Sequence, residues 1–205
     1  MDAALNISNL ASIFVAIIIS IGVHEAMHGY VAHWLGDPTA HDAGRLTLNP
    51  LKHIDGLMTI LLPVTLIALG LPPIFAAKPV PFNPARVKYA EYGAALIGLA
   101  GPFTNLFMAL VAAALAHILA GGFAVTFLVL FVQVNIGFFV FNMLPIPPLD
   151  GSRLIYALVP ESVQEVMARF EQMGMITIIL ILVVLMPVIG PVLSNVNQQI
   201  LIHLL

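Results

Sequence analysis

The chain has 205 residues, of which 60% are hydrophobic and 8% are charged, and its formal net charge is -3. An ordinary soluble domain carries about 25% charged residues, so this composition excludes a soluble protein and makes the lipid bilayer the expected solvent. The small net charge argues against a nucleic-acid partner. Because the chain has no cysteine, any metal ion must be held by histidine and carboxylate groups.

The first hydrophobic segment runs from about Ile7 to Leu35 and is predicted to be a helix that stops at the Gly-Asp-Pro run 36–38. Residues 24–28 read H-E-A-M-H, which matches the pattern H-E-x-x-H. Residues four apart share one helical face, so His24 and His28 can reach one metal ion. Glu25 lies beside them and can take a proton from a metal-activated water. The alternative is an interfacial helix end whose histidines and glutamate simply meet water.

The next part of the chain is polar and irregular. Residues 37–56 form a connection in which the alternation at 45–48 predicts a short strand or hairpin. The second, short apolar segment at 57–71 is counted among the predicted membrane segments, and the prolines between residues 72 and 84 that follow it predict an extended path.

Further apolar stretches predict the remaining membrane helices. They lie at 89–120, with a kink or break at Gly101-Pro102, at 123–144 and at 173–189. Residues 160–172 predict an amphipathic helix at the interface, and the tail predicts a helix or a frayed end. The fold prediction is an all-α polytopic membrane protein, a single integral-membrane domain over residues 1–205. It has about five transmembrane helices, with a sixth allowed in the tail, and short membrane-associated extended or hairpin segments.

Two histidines leave a catalytic zinc one protein ligand short, and Asp150 is the carboxylate best placed to complete the set. It follows a long apolar stretch, lies in a proline-rich break and precedes Gly151. Irregular backbone at membrane depth is tolerated only where it is buried in protein or lines a water-filled cavity, which suits a metal ligand. Taken alone, this segment is also compatible with an Asp-Gly turn at the membrane surface.

Several motifs together resemble the site-2 protease family of intramembrane zinc metalloproteases, in its short bacterial and archaeal branch. The H-E-x-x-H run occurs with Asn142-x-x-Pro145-x-x-x-x-Asp150-Gly151. The segments at 35–40, 44–50, 78–84 and 101–105 resemble the same family. The resemblance extends from about residue 24 to residue 151, roughly two thirds of the chain.

The resemblance implies a buried site in which His24, His28 and Asp150 bind Zn2+ and Glu25 acts as general base. It implies hydrolysis of peptide bonds within or near the transmembrane helices of membrane-protein substrates, as in regulated intramembrane proteolysis. It also implies that Asn142 helps to hold the substrate or to polarise its carbonyl. The expected location is the plasma (inner) membrane of a prokaryote, as a multi-pass protein.

Two other asparagines lie in predicted membrane spans, where a side-chain amide needs a partner. Asn105 is predicted to be a second substrate contact, and Asn135 to join neighbouring helices. The sequence names neither a particular substrate nor an oligomeric state.

The alternative function is a membrane zinc-binding protein or metal transporter that uses the same ligands without hydrolysis. A transport site needs no general base and usually has further ligands along a path, so Glu25 argues against it. A second alternative is a membrane-bound H-E-x-x-H peptidase with a glutamate as third ligand and a site facing the cytosol. Replacement of Asp150 separates this second alternative from the main hypothesis, because it releases zinc only if Asp150 is a ligand.

Overall fold

A computed structural model describes residues 7–61, 65, 78–174, 177, 180 and 184–205 of the chain. Every regular element within these ranges is helical, and no strand occurs in them. The α-helices are α1 (Ile7–Trp34), α2 (Thr39–Asp42), α3 (Ala90–Ile118), α4 (Phe123–Asn142), α5 (Gly151–Tyr156), α6 (Glu161–Gln172) and α7 (Met186–Leu204). Short 3₁₀ turns lie at Pro50–Lys52 and Pro84–Arg86, and a π-helical turn lies at Gly56–Leu61.

Helices α1, α3 and α4 are long and apolar enough to cross a membrane. The shortest of them, α4, has 20 residues; at a rise of about 1.5 Å per residue it matches the hydrocarbon core of a bilayer, about 30 Å thick. These helices confirm three of the predicted spans, and the helices expected at 160–172 and in the tail are present as α6 and α7. The total of five or six stays a prediction, because parts of the stretches at 57–71 and 173–189 lie outside the described residues.

Pro102 does not break α3. The helix runs without interruption from Ala90 to Ile118, and Pro102 is buried within it. Membrane helices tolerate proline where neighbouring elements and local adjustments satisfy the freed backbone groups. The break that the Gly-Pro pair suggested is therefore absent.

The predicted hairpin at 45–48 is wrong, because this segment pairs with no strand in the described part of the chain. Side chains hold it instead: the Arg45 guanidinium donates to the backbone carbonyls of Lys52 and Lys78. The alternation of residues has another cause. Leu46 packs against α1 at Gly29, while Leu48 is exposed.

Residues 78–83, here called the strap, run alongside α1 as non-helical chain, as the prolines predicted; residues 72–77 of the same prediction lie outside the described residues. At one end the Lys78 amide donates to the carbonyl of His53 at 2.9 Å. At the other end the Asn83 amide donates to Oδ2 of Asp37 at 2.5 Å. Between them Val80 is buried against Gly29 of α1, so the strap is attached at both ends and in the middle.

Glycines on α1 and α3 allow close approach of the segments that carry the site. A Cβ atom built at Gly22 would lie 2.6 Å from Cβ of Pro50, and one built at Gly98 would lie 2.9 Å from the carbonyl oxygen of Asp150. Lipid tails are as apolar as leucine, so helices in a membrane associate through such close contacts between small residues. The Gly98 contact brings the start of α5, and with it Asp150, onto the face of α3.

Candidate metal centre

The structure brings the three predicted ligands together. His24 and His28 lie one turn apart on α1, with their Nε2 atoms 3.0 Å from each other. Asp150, just before α5, places Oδ2 at 3.0 Å from Nε2 of His24 and Oδ1 at 3.5 Å from Nε2 of His28. The two histidine side chains are 10% and 12% exposed, and the aspartate is 23% exposed. No other group of three or more such residues converges this closely in the chain as described.

A backbone carbonyl orients the ring of His28. Its Nδ1 atom lies 2.6 Å from the carbonyl oxygen of Ile97 on α3. A carbonyl can only accept a hydrogen bond, so Nδ1 of His28 carries the proton and donates. In the neutral ring Nε2 is then left with a free lone pair, which points at the other ligands.

A chain of two carboxamides orients the ring of His24 in the same sense. Asn135 donates from Nδ2 to the carbonyl oxygen of Phe131 at 2.9 Å, so its Oδ1 is the atom that faces Asn105. Asn105 therefore donates from Nδ2 to that oxygen at 2.8 Å, which leaves its own Oδ1 facing His24. Nδ1 of His24, at 2.6 Å, donates to this oxygen. In its neutral form His24 thus also presents an unprotonated Nε2.

Two imidazole nitrogens and a carboxylate meet at one point, an arrangement that attracts a cation. Two histidines and a carboxylate are a known ligand set of catalytic zinc, with one position left open. Gly101 of α3 leaves the necessary room, since a Cβ atom built there would lie 2.5 Å from Nε2 of His28 and 2.6 Å from Nε2 of His24. The donor chemistry and the space both fit zinc.

Glu25 lies beside the ligands on α1 and is contacted by the strap. Its Oε2 atom accepts a hydrogen bond from the backbone amide of Val80 at 3.0 Å. The side chain is half-buried. One carboxylate oxygen is therefore held by the protein, and the geometry of the general-base candidate depends on the position of the strap.

The strap in turn depends on Asp37, whose side chain is completely buried. Oδ1 accepts from the amide of Thr39 at 3.0 Å and from its hydroxyl at 2.5 Å, while Oδ2 accepts from the Asn83 amide. Burial opposes the charge of this carboxyl group. The hydrogen bonds from Thr39 and Asn83 and the nearby positive charge of Arg86 outweigh burial and hold the pKa of Asp37 below its ordinary value.

Asn135 joins two neighbouring helices as predicted, whereas Asn105 lies in a different place from the one that the sequence suggested. Asn105, predicted as a substrate contact, is completely buried behind His24, and Asn135 is buried with it. Asn142 is the last residue of α4 and donates to the carbonyl of Phe138 at 3.0 Å, so its contact with substrate stays a prediction.

Sequence reasoning missed the partners that hold the site residues in place. Ile97 and Val80 act through backbone groups, which no sequence pattern marks. Asn135 had a signal, because it is a carboxamide in an apolar stretch, but nothing local related it to His24.

The described residues form no regular element other than helices, three of which are apolar enough to cross a membrane, and they bring together an H-E-x-x-H group and a carboxylate. This combination defines the class of membrane metalloproteases. The family model described as Peptidase family M50 matches residues 117–186, a region that contains Asp150. No solved structure matches the chain.

Curated relatives specify the family further. YwhC of Bacillus subtilis, whose name assigns it to the zinc metalloproteases, is 36% identical over 187 residues, which cover 86% of this chain and 82% of YwhC. Rip2 of Mycolicibacterium smegmatis, also named a zinc metalloprotease, is 31% identical over 176 residues, which cover 81% of this chain and 64% of Rip2. Rip2 of Mycobacterium tuberculosis H37Rv is 28% identical over 184 residues, with 83% and 68% covered. The chain therefore belongs to peptidase family M50, the site-2 proteases, and is a membrane zinc metalloprotease.

Proposed function

We propose that this protein is a multi-pass intramembrane protease of a prokaryotic plasma membrane that hydrolyses peptide bonds within or near transmembrane helices of membrane-protein substrates. The proposal rests on the position of the candidate metal centre along the length of α3. His24 contacts Asn105, near the midpoint of this 29-residue helix, and His28 contacts Ile97, two turns earlier. A peptide bond that reaches these ligands has to enter the apolar layer that α3 crosses.

In this proposal His24, His28 and Asp150 hold zinc, and Glu25 is the general base. The chemistry that zinc supplies when bound is Lewis acidity, which polarises a peptide carbonyl and makes water more acidic. The Nδ1 hydrogen bonds of the two histidines hold their rings so that both Nε2 lone pairs face the ion.

Glu25 moves the proton during hydrolysis. Its carboxylate takes a proton from water as the water oxygen bonds to the scissile carbonyl carbon. It then delivers that proton to the amine nitrogen as the carbon–nitrogen bond breaks. The Val80 amide holds Oε2 throughout, which leaves Oε1 as the oxygen that exchanges the proton.

A substrate helix has to unwind before cleavage, because its carbonyls are already hydrogen-bonded within the helix. Asn142 is the last residue of α4, and the irregular residues 143–149 connect it to Asp150. Its contact with Phe138 uses one of its two amide N–H groups. The other N–H group and the oxygen are the groups that we propose bind the unwound substrate backbone.

The test uses the wild type and a Glu25→Gln variant, both purified in detergent and incubated with single-span membrane peptides. Bound zinc is quantified on the same samples by elemental analysis. We expect about one zinc per chain in both proteins, because glutamine leaves the ligands intact, and cleavage by the wild type alone. General-base catalysis contributes about 10²–10⁴-fold to the rate, so the loss should be at least of that order.

Two results would contradict the proposal. Cleavage by Glu25→Gln at the wild-type rate would show that Glu25 is not the base. Zinc in both proteins without cleavage of any peptide by the wild type would favour the metal-transport alternative, which a metal-flux assay in vesicles would then test directly.

A further inference from the structure

Three helices meet in one buried polar network behind the metal centre. It runs from His24 on α1 through Asn105 on α3 to Asn135 on α4 and ends on the carbonyl of Phe131. Both asparagines are 0% exposed. Asn105 also lies 3.5 Å from the carbonyl oxygen of Ser20, a longer contact for its second N–H group.

We propose that Asn135 is a positioning residue for the metal centre, which acts on His24 through Asn105. This rests on the proposed role of His24 as a zinc ligand. The hydrogen bonds of Asn135 go to Asn105 and to the carbonyl of Phe131 and not to the ligands, so its influence depends on the order of donors and acceptors along the network.

Only one assignment of donors and acceptors along this network satisfies every member. Asn105 alone could turn its carboxamide by 180° and present its NH2 group to His24. His24 would then have to accept at Nδ1 and carry its proton on Nε2, where it could not bind a metal ion. The acceptor oxygen of Asn135 opposes this turn, because it needs a donor from Asn105. Asn135 cannot turn either, since its NH2 group is held by a backbone carbonyl within α4.

Because the network is buried, breaking this assignment of donors and acceptors costs free energy. A water molecule could replace either partner at an exposed site, but both carboxamides are fully buried between apolar helices. An unsatisfied amide there costs the full desolvation of the group. Without Asn135, the Asn105 amide would move towards Ser20 to keep a partner, and its oxygen would leave His24.

The simpler role for Asn135 is to join helices, as asparagine often does in membranes. The two roles differ in what they predict. A residue that only joins helices stabilises the fold and leaves the zinc affinity of the folded protein unchanged. A positioning residue changes the zinc affinity, and its effect disappears when Asn105 is absent.

The experiment measures the zinc dissociation constant by chelator competition in detergent, together with the melting temperature of the metal-free protein. We expect Asn135→Leu to weaken zinc binding about tenfold, at the lower end of the 10–100-fold range for outer partners of metal ligands, and Asn105→Leu to weaken it more. The double variant should bind zinc no more weakly than Asn105→Leu alone, because Asn135 acts through Asn105.

Ile136→Val is the matched control. Ile136 is the next residue of α4, is equally buried and takes no part in the network. This variant should lower the melting temperature and leave the zinc dissociation constant unchanged. Unchanged zinc affinity in a folded Asn135→Leu protein, or an effect that adds to that of Asn105→Leu, would overturn the proposal.

A second measurement does not depend on the folding of any Asn135 variant. In metal-free wild-type protein with 15N-labelled histidine, at alkaline pH, His24 should be protonated on Nδ1; its signals are identified by their loss in His24→Asn. Protonation of His24 on Nε2 would overturn the proposal. Because no zinc is present, this result is separate from the question of whether the chain binds zinc or cleaves peptides.

Discussion

The two halves of the candidate site are held in different ways. His24 and His28 are oriented by contacts that start in packed helices and end on backbone carbonyls. Glu25 is oriented by one backbone amide of the strap, which is not part of any helix. The metal half, formed by His24, His28 and Asp150, therefore depends at His24 on particular side chains, those of Asn105 and Asn135. The base half, formed by Glu25 and the strap, depends on an N–H group that every residue except proline supplies. Substitutions should accordingly separate zinc binding from peptide cleavage.

The largest effect is expected from the metal half. Asp150→Ala removes the carboxylate that faces both Nε2 atoms, so we expect loss of zinc and of peptide cleavage together. Elemental analysis and the peptide assay on the same sample measure both. Asp42→Ala, which removes an exposed carboxylate on α2, is the control and should keep both properties. Stoichiometric zinc in Asp150→Ala would show that another residue is the third ligand.

A smaller effect is expected from the base half. Val80→Pro removes the N–H group that holds Glu25, and the two flanking prolines already favour an extended backbone there. A hydrogen bond to a charged group contributes about 1.5–3 kcal/mol, so cleavage should fall about tenfold or more. The zinc content should stay that of the wild type.

Val80→Ala is the control for this comparison, because it removes the buried side chain and keeps the N–H group. It should cleave much faster than Val80→Pro. Equal rates for the two variants would mean that the side-chain packing of Val80, and not its amide, supports Glu25.

The smallest effect is expected at the anchor of the strap. Asp37→Asn weakens the acceptor for Thr39 and Asn83, so the strap should loosen and cleavage should fall a few-fold, with zinc content unchanged. The lowered pKa of Asp37 also predicts a pH dependence. The charged form stabilises the folded protein above the ordinary pKa of an aspartate, and this stabilisation is lost as pH falls through the lowered pKa.

Thermal unfolding in detergent, followed from neutral to strongly acidic pH, measures the stability that the charged form of Asp37 contributes. Wild type should be more stable than Asp37→Asn at neutral pH, and the difference should shrink only at strongly acidic pH. Asp42→Asn, whose carboxylate is exposed, should show no such difference. If the stability difference between wild type and Asp37→Asn stayed constant down to the lowest pH, it would come from packing and not from the charge of Asp37.

Local sequence predicted much of the architecture. The apolar stretches at 7–35, 89–120 and 123–144 matched α1, α3 and α4 within a few residues. Membrane composition and helical periodicity are properties of neighbouring residues, so a single sequence is enough to read them. The same holds for the spacing of His24 and His28, which places the two histidines one turn apart on one face of a helix, with Glu25 beside them.

The failures concern contacts between distant segments. The alternation at 45–48 predicted a hairpin, but Leu46 packs on α1 and Arg45 reaches the carbonyls of Lys52 and Lys78. Alternation of apolar and polar residues indicates that one face of a segment is buried, but it does not indicate which element covers that face. Asn105 was predicted to contact the substrate, because the sequence around it does not show that His24 lies against its side chain.

By itself, the sequence determined that this is a helical membrane protein with an H-E-x-x-H pair ready for a metal ion. Only the tertiary structure decided what the pair can do, because the second nitrogen of each ring needs a partner from another helix. Those partners lie 81 residues from His24 and 69 residues from His28, and one of them is a backbone carbonyl. Hydrogen bonds of this kind depend on how closely the helices pack, which is set by glycines such as Gly98 and Gly101 and by no local pattern.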